Sequence, residues 1–316
     1  MTQTPSRDAR QEHLAIPAAL NVTLLLAAGL VAAGLLRAAS HAASWTALVL
    51  AAVAFSFVNN TLFSLLHEAT HDILHPRRRV NDWMGRIAAA FFPTSFTLQR
   101  AFHLTHHRYN RTEREQFDYF RPRDSTVLKL AQWYSILTGL YWIFSPVGCV
   151  VFSLFPRVFR RGALRDDGSA VAQQTGADAY LGSVDDVPAA TIRLETFLSA
   201  AIQIAMAAAL DLTLAGWGCC YAAFAVNWSA LQYADHAFSP LDVREGAWNL
   251  RVNPVVRLVF LNYHHHLAHH RHPRVPWIHL PRLVDRESPR PRFLHVYLQM
   301  WRGPRAYPGQ DAAPRA

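Results

Sequence analysis

TALVLAAVAFSFVNNTLFSLLHEATH, residues 46–71, joins an uncharged apolar run to a histidine pair without a break. A hydrocarbon core of about 30 Å needs about 20 helical residues at roughly 1.5 Å each, and residues 46–66 supply them. The stretch is therefore expected to cross a membrane as a helix and to release His67, Glu68 and His71 at one surface. If the helix continues outward, His67, His71 and His75 fall at i, i+4 and i+8 on one face, with Asn60 and Ser64 extending that polar stripe into the membrane.

Outward from this stretch, residues 14–36 form a second apolar run, and the short link Arg37 to Trp45 makes the two a hairpin. Thr196 to Leu231 is apolar again, broken by Asp211 and followed by Gly216 and Gly218, which predicts another hairpin with spans near 192–210 and 213–232. Residues 127–155 carry Lys129, Ser145-Pro146 and the cluster Trp133, Tyr134, Tyr141 and Trp142. That composition suits an interfacial or re-entrant hairpin. The expected fold is an all-α integral membrane protein with about four transmembrane helices in two hairpins, interfacial helices, and a cytoplasmic-face helical cap. The expected divisions are residues 1–13 as a cytoplasmic N-terminus, 14–302 as one domain, and 303–316 as a flexible tail. Residues 162–190, rich in Gly, Asp and Ala, are expected to form a flexible loop.

Hydrophobic residues make up 51% of the 316-residue chain, yet the mean hydropathy is only +0.04. The average conceals long uncharged stretches alternating with segments crowded with Arg and His, a partition that a soluble domain would not show. Arg37 lies in the link placed outside, whereas Arg residues crowd 67–126, 156–191 and the region after 233. The positive-inside rule then puts every His-rich segment and both termini in the cytoplasm, at what is expected to be a bacterial inner membrane. No cleaved signal peptide is expected. The net charge of +9 fits an inner face lying against anionic lipid. The alternative is a docking surface for an acidic electron donor or acyl carrier; no nucleic-acid partner is expected. Cys149, Cys219 and Cys220 all lie in apolar surroundings, so neither a disulfide framework nor a Cys-based zinc site is expected.

The 17 histidines carry the chemistry. His103-Leu-Thr-His106-His107 and His266-Leu-Ala-His269-His270 are two copies of H-x-x-H-H, the second preceded by His264 and His265. On a helix, the first and last rings of such a segment share a face with the middle one beside them, so one turn can serve two metal ions. A lone His at a membrane boundary is an ordinary solvated side chain. Three clusters, each adjoining a span on one side, point instead to a shared metal site. Imidazole suits zinc, iron, copper and nickel. The boxes offer more histidines than the four ligands of a structural zinc or the three of a catalytic one. Two metals with open positions would suit dioxygen chemistry. A zinc protease, read from His67-Glu68-x-x-His71 as H-E-x-x-H, would leave both H-x-x-H-H clusters without a role. A metal transporter would place its ligands within the spans rather than beyond their ends.

In their order and placement the three boxes resemble those of the membrane fatty-acid desaturase and hydroxylase superfamily, whose pattern is H-x(3,4)-H, H-x(2,3)-H-H and a late H/Q-x(2,3)-H-H. The stretch from His266 through Pro273 to Pro276-Trp277 is similar to the late box with its downstream prolines, and the resemblance covers about residues 20–285. The run His264-His265-His266 departs from the usual single histidine. The resemblance implies two non-haem iron ions, dioxygen activation and two electrons from outside. By motif match it implies His67, His71, His103, His106, His107, His266, His269 and His270 as ligands, with His236 in Leu231-Gln-Tyr-Ala-Asp-His236 as a ninth. His75, His264 and Asn262 are further candidates, and Glu68 and Asp72 would orient ring N–H groups. The implied partners are a fatty-acyl substrate carried by CoA, acyl carrier protein or a lipid, membrane lipid, and a separate donor such as ferredoxin, rubredoxin or a cytochrome. The implied reaction is desaturation, or hydroxylation, acetylenation, ketone formation or oxidative decarboxylation on the same scaffold. Trp83, Phe91, Phe92, Phe96 and Phe102 are expected at the mouth of an acyl tunnel.

Overall fold

The computed structural model describes residues 14–157 and 170–308. Helices α1 (Ala18–Ser40) and α2 (Trp45–Thr70) form the first hairpin. Ser44 starts α2 by accepting the Ala47 N–H at 3.2 Å, a side-chain cap for an otherwise orphaned donor. Then come α3 (Arg78–Phe91), α4 (Phe96–Tyr109), the strand β1 (Tyr119–Phe120), α5 (Thr126–Thr138) and α6 (Leu140–Leu154). After them follow α7 (Ala170–Thr175), α8 (Ala177–Gly182), α9 (Ala189–Leu210) and α10 (Leu214–Ala234). Three short helices, α11 (Pro254–Val259), α12 (His266–Arg271) and α13 (Phe293–Met300), precede the strand β2 (Arg305–Ala306).

The chain is thus an all-α membrane protein. Helices α1, α2 and α9 are each long and apolar enough to cross a membrane. Helix α10, expected as the fourth span, is 21 residues long but is not among those three. It carries Asn227, Ser229 and Gln232 and packs against α1, α2, α5 and α6, so protein rather than lipid surrounds much of it. Helices α5 and α6 meet at 97°, as a broken span or re-entrant hairpin does. Gly139 makes that bend possible. Its φ is +83°, and a Cβ there would lie 2.6 Å from the Val226 backbone nitrogen in α10. Gly139→Ala is therefore expected to cost at least about 1–2 kcal/mol from the left-handed backbone alone, before the clash, and to lower the thermal midpoint of the purified protein.

Two local expectations change. Helix α2 stops at Thr70, and Asp72 turns the chain with φ +61°, so His75 leaves the face shared by His67 and His71. Of the stretch expected as a flexible loop, residues 162–169 lie outside the described residues, and the part from 170 on forms α7 and α8. At the start of the segment read as a tail, β2 pairs in parallel with β1, Tyr119 opposite Arg305; residues 309–316 lie outside the described residues.

The core rises toward the end of α2. Phe63 packs against Phe92 and Trp228 with ring centroids 5.1 and 5.4 Å apart, one turn below His67. Buried Glu195 of α9 fastens α3 and α4. It accepts from Arg86 Nε at 2.8 Å, Ser95 Oγ at 2.7 Å and the Thr97 N–H at 2.7 Å. These contacts fix the root of α4, which carries the middle histidine box.

Candidate metal centre

Four pieces of chain converge above this core. The end of α2 supplies His67 and His71, and α4 supplies His103, His106 and His107. The turn after α10 supplies His236, and α12 supplies His266, His269 and His270. Their ring nitrogens form two groups. One contains His67, His71, His103, His107 and His269; the other contains His106, His236, His266 and His270. Within each group the potential ligand atoms lie within 4.8 Å of one another.

The helical period explains the division. His103 and His107 are four apart and join the first group, while His106 faces the second. His266 and His270 are four apart and join the second, while His269 faces the first. Each H-x-x-H-H box therefore serves both groups, in opposite senses.

The donors fit metal ions. An ion with bonds of about 2.1 Å to imidazole keeps its ligands within about 4.2 Å of one another, so each group needs to gather by only a few tenths of an ångström. His71 Nε2 lies 2.7 Å from His103 Nε2, His107 Nε2 lies 3.0 Å from His269 Nε2, and His266 Nε2 lies 3.2 Å from His270 Nε2. His67 Nε2 and His236 Nε2 are buried with no hydrogen-bond partner. Unpartnered, inward-facing ring nitrogens are costly unless something binds them. Burial, and then neighbouring imidazoles, pushes the His71, His103, His266, His269 and His270 rings well below the ordinary histidine range. Those rings are held neutral, the form that offers a lone pair to a metal.

Groups behind the rings set their tautomers. His106 Nδ1 lies 2.6 Å from Glu115 Oε2, and the Tyr180 hydroxyl donates to the other Glu115 oxygen. His236 Nδ1 donates to the Gly246 carbonyl at 2.9 Å. Both arrangements leave Nε2 free. His266 Nδ1 faces Asp235 Oδ2 at 3.5 Å. Glu115→Gln is expected to weaken metal retention about 10–100-fold with the fold intact, measured by metal titration of the purified apo chain.

Glu68 holds the place expected of it only loosely, with Oε1 4.0 Å from His67 Nδ1, while Oε2 accepts the Trp277 N–H at 3.0 Å. Asp72 orients no histidine; it pairs with Arg100 at 2.8 Å. His75 belongs to neither group, and its Nδ1 accepts the Arg77 N–H at 3.0 Å. His264 is also outside both and lies against His265, with ring centroids 4.0 Å apart and the planes tilted by 44°. Asn262 donates to the Trp277 carbonyl. The sequence reading missed Glu115, Tyr180 and Asp235. Asp235 directly precedes His236, an available signal, but Glu115 stands nine residues beyond His106 in a separate turn and carried none.

A cavity of about 220 Å³ opens beside both groups, lined by His103 of the first and His106, His236 and His266 of the second. Phe102, Tyr141, Phe144, Trp228 and Tyr263 form its apolar wall, and Gln99, Glu115 and Gln232 add polar points. Of the five aromatics expected at the mouth, only Phe102 lines it. Phe91, Phe92 and Phe96 are buried in packing, and Trp83 is exposed. The bent α5–α6 pair supplies the wall instead.

Among curated proteins, none matches the chain. The family model described as fatty acid desaturase matches residues 43–302, a stretch that takes in all three histidine boxes, the turn bearing His236 and the cavity between them, and the chain belongs to that family.

Proposed function

We propose that the chain is a non-haem di-iron oxidase that introduces a double bond into a fatty-acyl chain, using dioxygen and two electrons from a separate donor protein. The observation that carries this reading is the pairing of nine buried or half-buried histidines, in two groups, with one aromatic-lined cavity that touches both. His67, His71, His103, His107 and His269 would hold one iron, and His106, His236, His266 and His270 the other. Bound iron supplies the dioxygen activation that an unactivated C–H bond demands and that no side chain provides. Phe102, Tyr141, Phe144 and Trp228 would hold the acyl chain by apolar contact and exclude water. Glu115 and the Gly246 carbonyl keep His106 and His236 in the tautomer that offers Nε2. The protease alternative gains nothing from the structure, because Glu68 is 2% exposed, engaged by Trp277 and absent from the cavity wall. The acyl chain would arrive on CoA, acyl carrier protein or a glycerolipid, at the cytoplasmic side of a bacterial inner membrane.

Expression in a bacterial host, followed by profiling of cell lipids and medium, tests the reaction. New carbon–carbon double bonds are expected, together with two irons per chain in the purified protein. Products that gain oxygen without unsaturation would assign hydroxylation, and a sample that holds only zinc and consumes no oxygen would overturn the reading.

A further inference from the structure

A second cleft lies on the opposite face of α10 from the active cavity. Asn227 and Leu231 line the cleft, whereas Trp228, Ser229 and Gln232 line the cavity, so the helix separates the two spaces. The cleft encloses about 540 Å³ between α2, α10, α11 and the start of α13. At its rim Arg251 and Arg292 are held side by side: they form a parallel bridge, with Arg251 N–H donating to the Pro291 carbonyl at 2.8 Å and Phe293 N–H donating to the Arg251 carbonyl at 3.1 Å. Both side chains are exposed, and paired strand positions are about 4.8 Å apart, so the two guanidiniums can reach one anion between them, which would relieve the repulsion of like charges set opposite each other. Neither guanidinium has an ion pair or hydrogen bond among the described residues. The acidic residues nearest in sequence are Glu245, which pairs with Arg271, and Asp285 and Glu287, and none of them pairs with Arg251 or Arg292 among the described residues.

Below the arginines the floor is apolar, formed by Phe57, Leu231, Val256, Phe260 and Phe293. Phe57 is ten residues before His67 on α2, about 15 Å deeper toward the centre of that candidate span. On either side, α11 and α13 turn large apolar residues outward; Leu258 is 72% exposed and Leu294 61%. Short helices with such faces beside a row of cations lie at the boundary between headgroups and acyl chains.

We propose that this cleft binds one anionic membrane phospholipid, its phosphate between Arg251 and Arg292 and one acyl chain running along the floor toward Phe57. The site is separate from the metal centre and does not rest on the reaction proposed above. Two arginines near an anionic headgroup favour it over a zwitterionic one by roughly 30-fold in affinity. Native mass spectrometry of the full chain in detergent, with phosphatidylglycerol or phosphatidylcholine of the same acyl composition added, reads this directly. One retained phosphatidylglycerol is expected, with phosphatidylcholine held far more weakly. The double substitution Arg251→Gln and Arg292→Gln should lower phosphatidylglycerol retention by roughly 30-fold, whereas Arg257→Gln, an exposed cation outside the cleft lining, should leave it unchanged. Leu294→Glu, which sets a carboxylate at the rim, should keep the thermal midpoint and lose the lipid. Equal retention of both lipids, full retention by the double variant or by Leu294→Glu, or equal stabilisation by inorganic phosphate alone would overturn the proposal.

Discussion

Asp118→Ala is expected to lower the stability of the protein by about 3–5 kcal/mol, the usual cost of stripping one partner from a buried ion pair. Asp118 and Arg111 are both fully buried, and Arg111 Nη1 and Nη2 donate to the two carboxylate oxygens at 2.7 and 2.9 Å. The pair also holds the strands of chain around it. Arg111 Nη2 donates to the Ser239 carbonyl at 3.1 Å, and Asp118 accepts the Phe238 N–H at 2.6 Å and the Tyr233 hydroxyl at 2.9 Å. Arg111 follows the helix bearing His106 and His107, and Ser239 and Phe238 follow His236. The pair therefore pins two pieces of the candidate metal centre to each other. Denaturant or thermal unfolding in detergent measures the loss, and metal retained after dialysis should fall with it. The double change Arg111→Met with Asp118→Leu should recover most of the stability, because no buried charge is then left alone. A single Asp118→Ala variant as stable as the wild type would refute the claim.

Residues 46–71 show why much of this architecture was legible. A long apolar run ending in paired histidines admits few structures, and H-x-x-H-H at helical spacing places its rings without knowledge of the fold. The nine histidines brought together are the nine that the motifs singled out. What the sequence concealed depends on contacts between distant segments. Helix α2 could have continued through His75, but Asn81 accepts the Leu74 N–H at 3.1 Å and donates to the Ala69 carbonyl at 3.0 Å, a tie from α3 that stabilises the turn beyond Thr70. Tyr180 comes from a stretch whose Gly, Asp and Ala content suggested a loop, yet it reaches Glu115 across 65 residues. The cavity wall escaped for the same reason. Aromatics between the first two boxes were near in sequence, but the 97° bend at Gly139 brings Tyr141 and Phe144 to the metal groups instead.

The sharpest test of the paired centre is a comparison of two single substitutions. His266→Ala removes a ring from the second group and His269→Ala removes one from the first, although the residues are three apart on the same short helix. If each group holds its own iron, either variant should fall from two irons toward one per chain, and each should lose product formation by more than the roughly 10–100-fold typical of losing a group behind a ligand. The two variants should differ spectroscopically, because the surviving ion has different neighbours in each. His75→Ala supplies the control: its ring accepts the Arg77 N–H and belongs to neither histidine group, so metal content and product should stay at wild-type levels. If the two groups hold iron, chelation of the wild type should abolish oxygen consumption, and re-addition of ferrous iron should restore it. Loss of both ions on removing either ring would mean that the groups bind cooperatively as one site. Retention of both, with activity intact, would mean that these nitrogens are not ligands at all.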